Sequence, residues 1–302
     1  MDVAPIPYEE ISLGDRVGMG YYGRVYKSKW RGRTIAVKRI SIGRADKHIE
    51  REINQLSKLR HENIVTLYGF SMYEDMFHLL EEYADGGSLS TVIHSKILRY
   101  YLANALNWAH QIAQGLAYLH AMKPKAIIHR DIKPSNAILS RQGLSLKICD
   151  FGTVVDLTTS MTAEVGTCQY KAPEVFQGRH YDEKCDVHSW AITFWEILAR
   201  KQPFEKCNTP YAVNLAVTTG DRPLFGDNIV VKPCPEDIIN LISACWNPEP
   251  NKRYSMKFVG GFMKEALADA GPLARLGYYI KENKNYIKEN EVQVCLQLLP
   301  DK

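Results

Sequence analysis

His129-Arg130-Asp131-Ile132-Lys133-Pro134-Ser135-Asn136 is the stretch that decides the fold. It sets a carboxylate, a cation and an amide within a few residues of one another, ahead of an ordinary apolar run. Asp150-Phe151-Gly152 begins fourteen residues after Asn136, and Ala172-Pro173-Glu174 follows further on. The sequence on the two sides of this block differs in character. Upstream, ISLGDRVGMGYYGRVYKSKW (11–30) and RGRTIAVKRI (31–40) are short β-branched and aromatic runs broken by glycines. They predict two or three antiparallel strands with a turn at Arg31-Gly32. Residues 46–59 predict a helix, because Ile49, Ile53 and Leu56 share a face at i, i+4 and i+7. Two more strands are expected over 65–70 and 76–83, and Asp85-Gly86-Gly87-Ser88 marks a break. Beyond it the pattern is helical. Leu102, Trp108, Ile112, Leu116 and Leu119 make an amphipathic helix over 101–120, and further helices read at 186–200 and 236–246. The expectation is an α+β chain in two lobes: a β-rich N-lobe over about 8–84 with one main helix, and an α-helical C-lobe over about 85–268. The tail, 269–302, is weakly patterned. Its near-repeat YIKENKN and YIKENEV has too few copies for a coiled coil.

The composition is permissive. The 302 residues are 45% apolar and 24% charged, ordinary for a globular chain that buries its own core. Net charge is 38 − 34 = +4, too small to argue for nucleic acid or an anionic membrane as a partner. No run of eighteen apolar residues is present, and MDVAPIPYEE does not read as a secretory signal. The seven cysteines are scattered without a CxxC pair, as expected for free thiols in a reducing compartment. A cytoplasmic location is the expectation.

Gly18, Met19, Gly20, Tyr21, Tyr22, Gly23, Arg24 and Val25 spell GxGxxGxV. Glycines let a backbone come close to phosphates and donate N–H groups to them. GxGxxG also marks dinucleotide-binding turns, but those join a strand to a helix, and here the loop lies between two strand-like runs. Ile35-Ala36-Val37-Lys38 puts a cation on an apolar strand, where burial is costly without a partner. Glu52, four residues before Leu56 on the helix face, is the natural partner.

Glycine loop, Lys38, the 129–136 block, Asp150-Phe151-Gly152 and Ala172-Pro173-Glu174, in that order, resemble the signature set of the protein kinases. The resemblance implies the bilobal protein-kinase fold, ATP and Mg²⁺ as cofactors, and phosphoryl transfer to protein substrates. Such transfer needs positioning and charge neutralisation more than covalent help. On this reading Asp131 accepts the proton of the attacking hydroxyl, Lys133 neutralises the moving phosphoryl group, and Asn136 and Asp150 offer hard oxygens to Mg²⁺. Lys38, held by Glu52, grips the α and β phosphates. The resemblance also implies that Val17, Val25, Ala36 and Ile138 sandwich the adenine, with a hinge at Glu82 and Ala84. Lys133, together with Gly166-Thr167, implies Ser/Thr specificity. Glu174 is expected to pair with Arg253, and Asp186 to anchor the 129–136 loop. Leu56, Leu67, His129 and Phe151 match the family's apolar column.

EYADGGSL (82–89), QGLAYLH (114–120), KPKAIIHRDIKP (123–134), LKICDFGT (146–153), APEVFQG (172–178) and KCDVHSWAITFWEI (184–197) resemble the transforming-growth-factor-β-activated kinases. These are MAP kinase kinase kinases of the tyrosine-kinase-like group. The likeness covers about 8–265 and implies MAP kinase kinases as substrates, in stress or innate-immune signalling. It implies an activating binding protein on the C-lobe. It places Thr159, Thr162 and Thr167 where such loops are phosphorylated, with a structural role for Thr167 as the alternative. Cys149 is expected to face the nucleotide, and is a candidate for covalent inhibitors. The chain departs from the family at several positions. Aligning the hinge puts Glu81 where an apolar residue or Thr usually stands, unless the register slips and Leu80 takes that place. His188 replaces an aromatic, Ala191 a glycine, and Tyr254 a proline. These departures mark a diverged paralogue. They keep a second expectation open, a kinase fold that binds partners without catalysis.

Overall fold

The computed structural model describes residues 5–19, 23–41, 46–153, 155–156, 167–276 and 297–298. The chain forms two compact units. The first holds Met1–Ala84 together with Cys149–Val154, and the second holds Asp85–Ile148 and Val155–Lys302.

The first unit is a curled antiparallel sheet with one helix. Its strands are β1 (Ile11–Ser12), β2 (Arg16–Met19), β3 (Arg24–Trp30), β4 (Arg33–Ser41), β5 (Leu67–Tyr73) and β6 (Met76–Glu82), with α1 (Asp46–Leu56) between β4 and β5. The order is β1-β3-β4-β6-β5, and β2 also pairs with β3. Arg31 and Gly32 turn β3 into β4 with φ of 47° and 76°, the left-handed pair that a two-residue hairpin requires. Gly23 opens β3 for a steric reason. A Cβ there would stand 2.0 Å from the Arg39 carbonyl oxygen. On one sheet face Ile11, Ile35, Val37 and Leu80 form an apolar cluster backed by Ile6, Tyr8, Leu13, Trp30 and Tyr68. Strand alternation sends Lys38 to the other face, towards α1. Ile49, Ile53 and Leu56 of α1 are buried, as the spacing predicts.

The second unit is helical: α2 (Leu89–Ile93), α3 (Leu102–His120), α4 (Pro173–Phe176), α5 (Lys184–Ala199), α6 (Pro210–Thr219), α7 (Glu236–Cys245) and α8 (Met256–Asp269). Six short strands among the described residues join them. β7 (Ile127–Ile128) pairs with β10 (Val155–Asp156), β8 (Ala137–Ser140) pairs with β9 (Ser145–Ile148), and β11 (Ala274–Arg275) pairs with β12 (Gln297–Leu298). α5 is buried from Cys185 to Ala199, so it is the central helix of this unit. Trp108 and Trp190 are fully buried, and the Trp190 indole donates to the Ala109 carbonyl of α3 at 2.9 Å.

The sequence reading holds for β3 to β6 and for α1, α3, α5 and α7. α2, α6 and α8 are additions to it. Each begins at a polar cap the reading passed over: Ser88, Thr209 and Ser255 accept from the backbone N–H of Thr91, Ala212 and Phe258. The tail repeat falls on 279–292, outside the described residues. No described helix is long and apolar enough to cross a membrane.

Candidate active site

In the first unit three charged groups meet. The Lys38 ammonium donates to both Glu52 oxygens, at 2.9 and 3.0 Å, and to Asp150 Oδ1 at 2.9 Å. Lys38 and Glu52 are buried. Burial opposes the charged ammonium, but Glu52, then Asp150, then Glu81 outweigh it and hold Lys38 well above an ordinary lysine. Asp150 has φ 66°, a left-handed conformation that Asp tolerates better than most side chains. Phe151 after it is fully buried, as is Leu56 of the expected column, and Leu67 is buried too.

The register settles the Glu81 question. Lys38 lies opposite Leu79, Ala36 opposite Glu81, and Val37 opposite Leu80. Leu80 therefore belongs to the apolar cluster on the far face, and Glu81 shares a face with Ala36 and Lys38. Glu81 is 8% exposed and its Oε1 has no hydrogen-bond partner. Burial, then Glu52, pushes its carboxyl up to about 8, against the pull of Lys38. Val25 lies opposite Lys38 on β3 and is half-buried, and Val17 is exposed. Burial, then Asp150, holds the Cys149 thiol well above its ordinary value. Gly18 and Met19 lie in β2; Gly20, Tyr21 and Tyr22 fall outside the described residues.

In the second unit the 129–136 block is held by a long-range anchor. Asp186, at the start of α5 and fully buried, accepts from the backbone N–H groups of His129 and Arg130 at 2.9 and 2.8 Å. Two successive N–H groups on one carboxylate form an anion nest, which holds Arg130 at φ 68°. His120 also contacts Asp186, at 3.0 Å. Burial would raise the Asp186 carboxyl, but His120 and His129 together hold it below its ordinary value. His120 was not singled out from sequence; 66 residues separate it from Asp186.

The Asp131 side chain is fully engaged. Oδ2 accepts from Lys133 at 2.6 Å and from the Asn136 amide at 2.9 Å. Oδ1 accepts from the Thr167 backbone N–H at 2.9 Å and its hydroxyl at 3.0 Å. Lys133 also donates to the Thr167 hydroxyl. Thr167 is thus a structural clasp on the Asp131–Lys133 pair; Thr159 and Thr162 fall outside the described residues. Asn136 donates again to the Asp131 backbone carbonyl at 2.8 Å. Both amide bonds run through its nitrogen, so its oxygen, the atom a hard cation takes, is the end left over. The amide oxygen is a donor type that suits a hard cation. Ile138 is half-buried on β8. Arg253 pairs with Glu174 through two contacts at 2.6 and 2.8 Å, as expected.

The family follows from these sets. A model of the protein kinase domain matches residues 11–267, and the chain belongs to the protein kinase family. Among its relatives, it is 43% identical over 299 residues to Mitogen-activated protein kinase kinase kinase 7 of Drosophila melanogaster, covering 98% of this chain and 43% of that protein. It is 44% identical over 255 residues to the Homo sapiens protein of the same name, covering 83% and 41%. A putative mitogen-activated protein kinase kinase kinase 7-like protein of Drosophila melanogaster is 36% identical over 271 residues, covering 87% and 68%. The chain therefore spans less than half the length of the first two relatives.

Proposed function

We propose that the chain is a Ser/Thr protein kinase of the MAP kinase kinase kinase type, moving the γ-phosphoryl group of ATP onto MAP kinase kinases. The observation that carries this reading is the double pairing of Lys38 with Glu52 and Asp150. In that arrangement Glu81 has not taken Lys38 away from Glu52.

The roles follow from the chemistry of each group. Lys38 grips the α and β phosphates, oriented by Glu52. Val17, Val25, Ala36 and Ile138 cover the base, with Glu82 and Ala84 as its hinge, and the 18–25 loop covers the phosphates. Asn136 and Asp150 would hold Mg²⁺, which when bound neutralises phosphate charge. Asp131 accepts the proton of the attacking hydroxyl, and its four hydrogen bonds fix the carboxylate in place for that task. Lys133 offsets charge on the transferring group. Its clasp by Thr167 supports Ser/Thr acceptors. The relatives' printed names support MAP kinase kinase substrates. Phosphorylation at Thr159, Thr162 or Thr167, an activating binding protein on the second unit, a cytoplasmic setting, and stress or immune signalling belong to the same proposal.

The test is phosphorylation of a catalytically dead MAP kinase kinase by the purified chain, followed by phospho-amino-acid analysis. Phosphoserine or phosphothreonine is expected; phosphotyrosine alone would overturn the specificity. A second reading, a fold that binds partners without transfer, rests on the burial of Glu81 beside Lys38. It predicts no label in any acceptor even when the activating partner is supplied.

A further inference from the structure

We propose that His94 is a positioning residue for phosphoryl transfer: through Glu196 and Tyr170 it holds the 167–170 turn against Asp131. The inference rests on the kinase reading above, and every group in it belongs to the second unit. A continuous line of hydrogen bonds carries it. His94 caps the C-terminus of α2, and its Nε2 lies 2.8 Å from Glu196 Oε1 on α5. The other Glu196 oxygen, Oε2, accepts from the Tyr170 hydroxyl at 2.6 Å. The Tyr170 backbone N–H donates to the Thr167 carbonyl at 3.1 Å, which closes the short turn Cys168–Tyr170. Thr167 then gives both its N–H and its hydroxyl to Asp131 Oδ1, at 2.9 and 3.0 Å. His94 and Glu196 are 102 positions apart, so the line is a product of the fold and not of local sequence.

Glu196 is fully buried, and a buried carboxylate is tolerated only where its oxygens find donors. Its two donors come from different elements, α2 and the 167–170 turn, so the carboxylate ties one to the other. A carboxylate takes an N–H, so His94 donates through Nε2; the Gln202 amide lies 3.2 Å from the same nitrogen. Burial, then Glu196, holds the Tyr170 phenol well above its ordinary value, so it keeps its proton and stays a donor. The Ser189 hydroxyl of α5 donates to the Tyr170 carbonyl at 2.8 Å and steadies the same residue from its backbone. Without the His94 N–H, one buried oxygen of Glu196 is left unpaired, and the carboxylate turns towards the donor that remains. That motion is passed to Tyr170 and the turn that clasps Asp131. The His94 side chain is 28% exposed, so it can be exchanged without opening a core cavity. His94→Gln keeps an amide N–H at the reach of Nε2, and His94→Leu has none.

The test is steady-state kinetics of the full chain with Mg²⁺-ATP and a catalytically dead MAP kinase kinase as acceptor, alongside nucleotide Kd. Wild type, His94→Leu, His94→Gln, Tyr170→Phe and the double variant His94→Leu/Tyr170→Phe are compared. His94→Leu and Tyr170→Phe are each expected to lower kcat roughly tenfold, with nucleotide Kd within about twofold of wild type. His94→Gln recovers kcat to within about threefold of wild type. The double variant stays near the single ones, roughly tenfold down and not a hundredfold, because both changes act on one line of contacts. A kcat within about twofold of wild type in His94→Leu would overturn the proposal. So would His94→Gln as slow as His94→Leu, a double variant that multiplies the two losses, or an equal loss of nucleotide affinity, since each of these marks a merely structural histidine. Absence of transfer by every protein, the wild type included, would instead overturn the kinase reading on which the proposal rests.

Discussion

At the scale of single residues, Glu81 is the group whose position and protonation disagree most with its surroundings. Its carboxyl sits at about 8 in the folded chain against an ordinary 4.5. Between those two values the unfolded chain releases this proton and the folded chain keeps it. The folded state therefore binds more protons, and stability falls as pH rises through that window. Glu81→Leu removes the effect. Its stability is expected to match wild type near pH 4.5 and exceed it on the order of 3 kcal/mol at pH 7. Urea titrations at both pH values check this; a gap that stays constant with pH would contradict it. Sequence located this residue but left two registers open, because a period-2 strand read alone does not say which face meets which neighbour. The pairing of Ala36 with Glu81 supplied the missing fact. Thr167 was similarly ambiguous. Its contact with Asp131 and Lys133 joins residues 34 and 36 positions apart, which no local pattern encodes.

At the scale of elements, two buried carboxylates tie distant segments together. Asp186 on α5 holds the backbone of the 129–136 block, and only a group with two acceptor oxygens can take both N–H bonds. Asp186→Asn turns an amide NH₂ against one of those donors. It is expected to lower kcat by about 100-fold through misplacement of Asp131, with nucleotide Kd unchanged. An equal loss in nucleotide binding would mean that the damage is global. Glu174 on α4 and Arg253 are paired in the core. Arg253→Met strands a buried carboxylate and is expected to cost about 3–5 kcal/mol, read from the urea midpoint. Both anchors were legible as family-like pairings, but His120, the further partner of Asp186, was not, since nothing local distinguishes it from any other helix histidine. Among helices, α3 and α5 announced themselves by long apolar patterns. α6 is marked instead by Thr209-Pro210 and by Gly220 at φ 102°, end signals around a helix with only Val213 and Val217 buried.

At the scale of the molecule, the functional groups divide by unit. Lys38, Glu52, Glu81 and Asp150 belong to the first, and Asp131, Lys133, Asn136 and Thr167 to the second. Asp150 lies far along the chain from β6, yet its pairing with Lys38 and the burial of Phe151 make it part of the sheet unit. Sequence gave it no such allegiance, because that contact spans 112 positions. Phosphoryl transfer would need both sets at once, so the central claim is that the chain is a working kinase. A Mg²⁺-ATP concentration one hundred times Kd is expected to stabilise it by roughly 2.7 kcal/mol, seen as a higher Tm. The most direct test is transfer of labelled γ-phosphate from Mg²⁺-ATP by the purified chain, together with its activating partner, to itself and to a MAP kinase kinase, with Asp131→Asn alongside. Label in wild type and none in Asp131→Asn, which still binds ATP, is the predicted result. Equal label in both proteins, or none in either, would contradict the account.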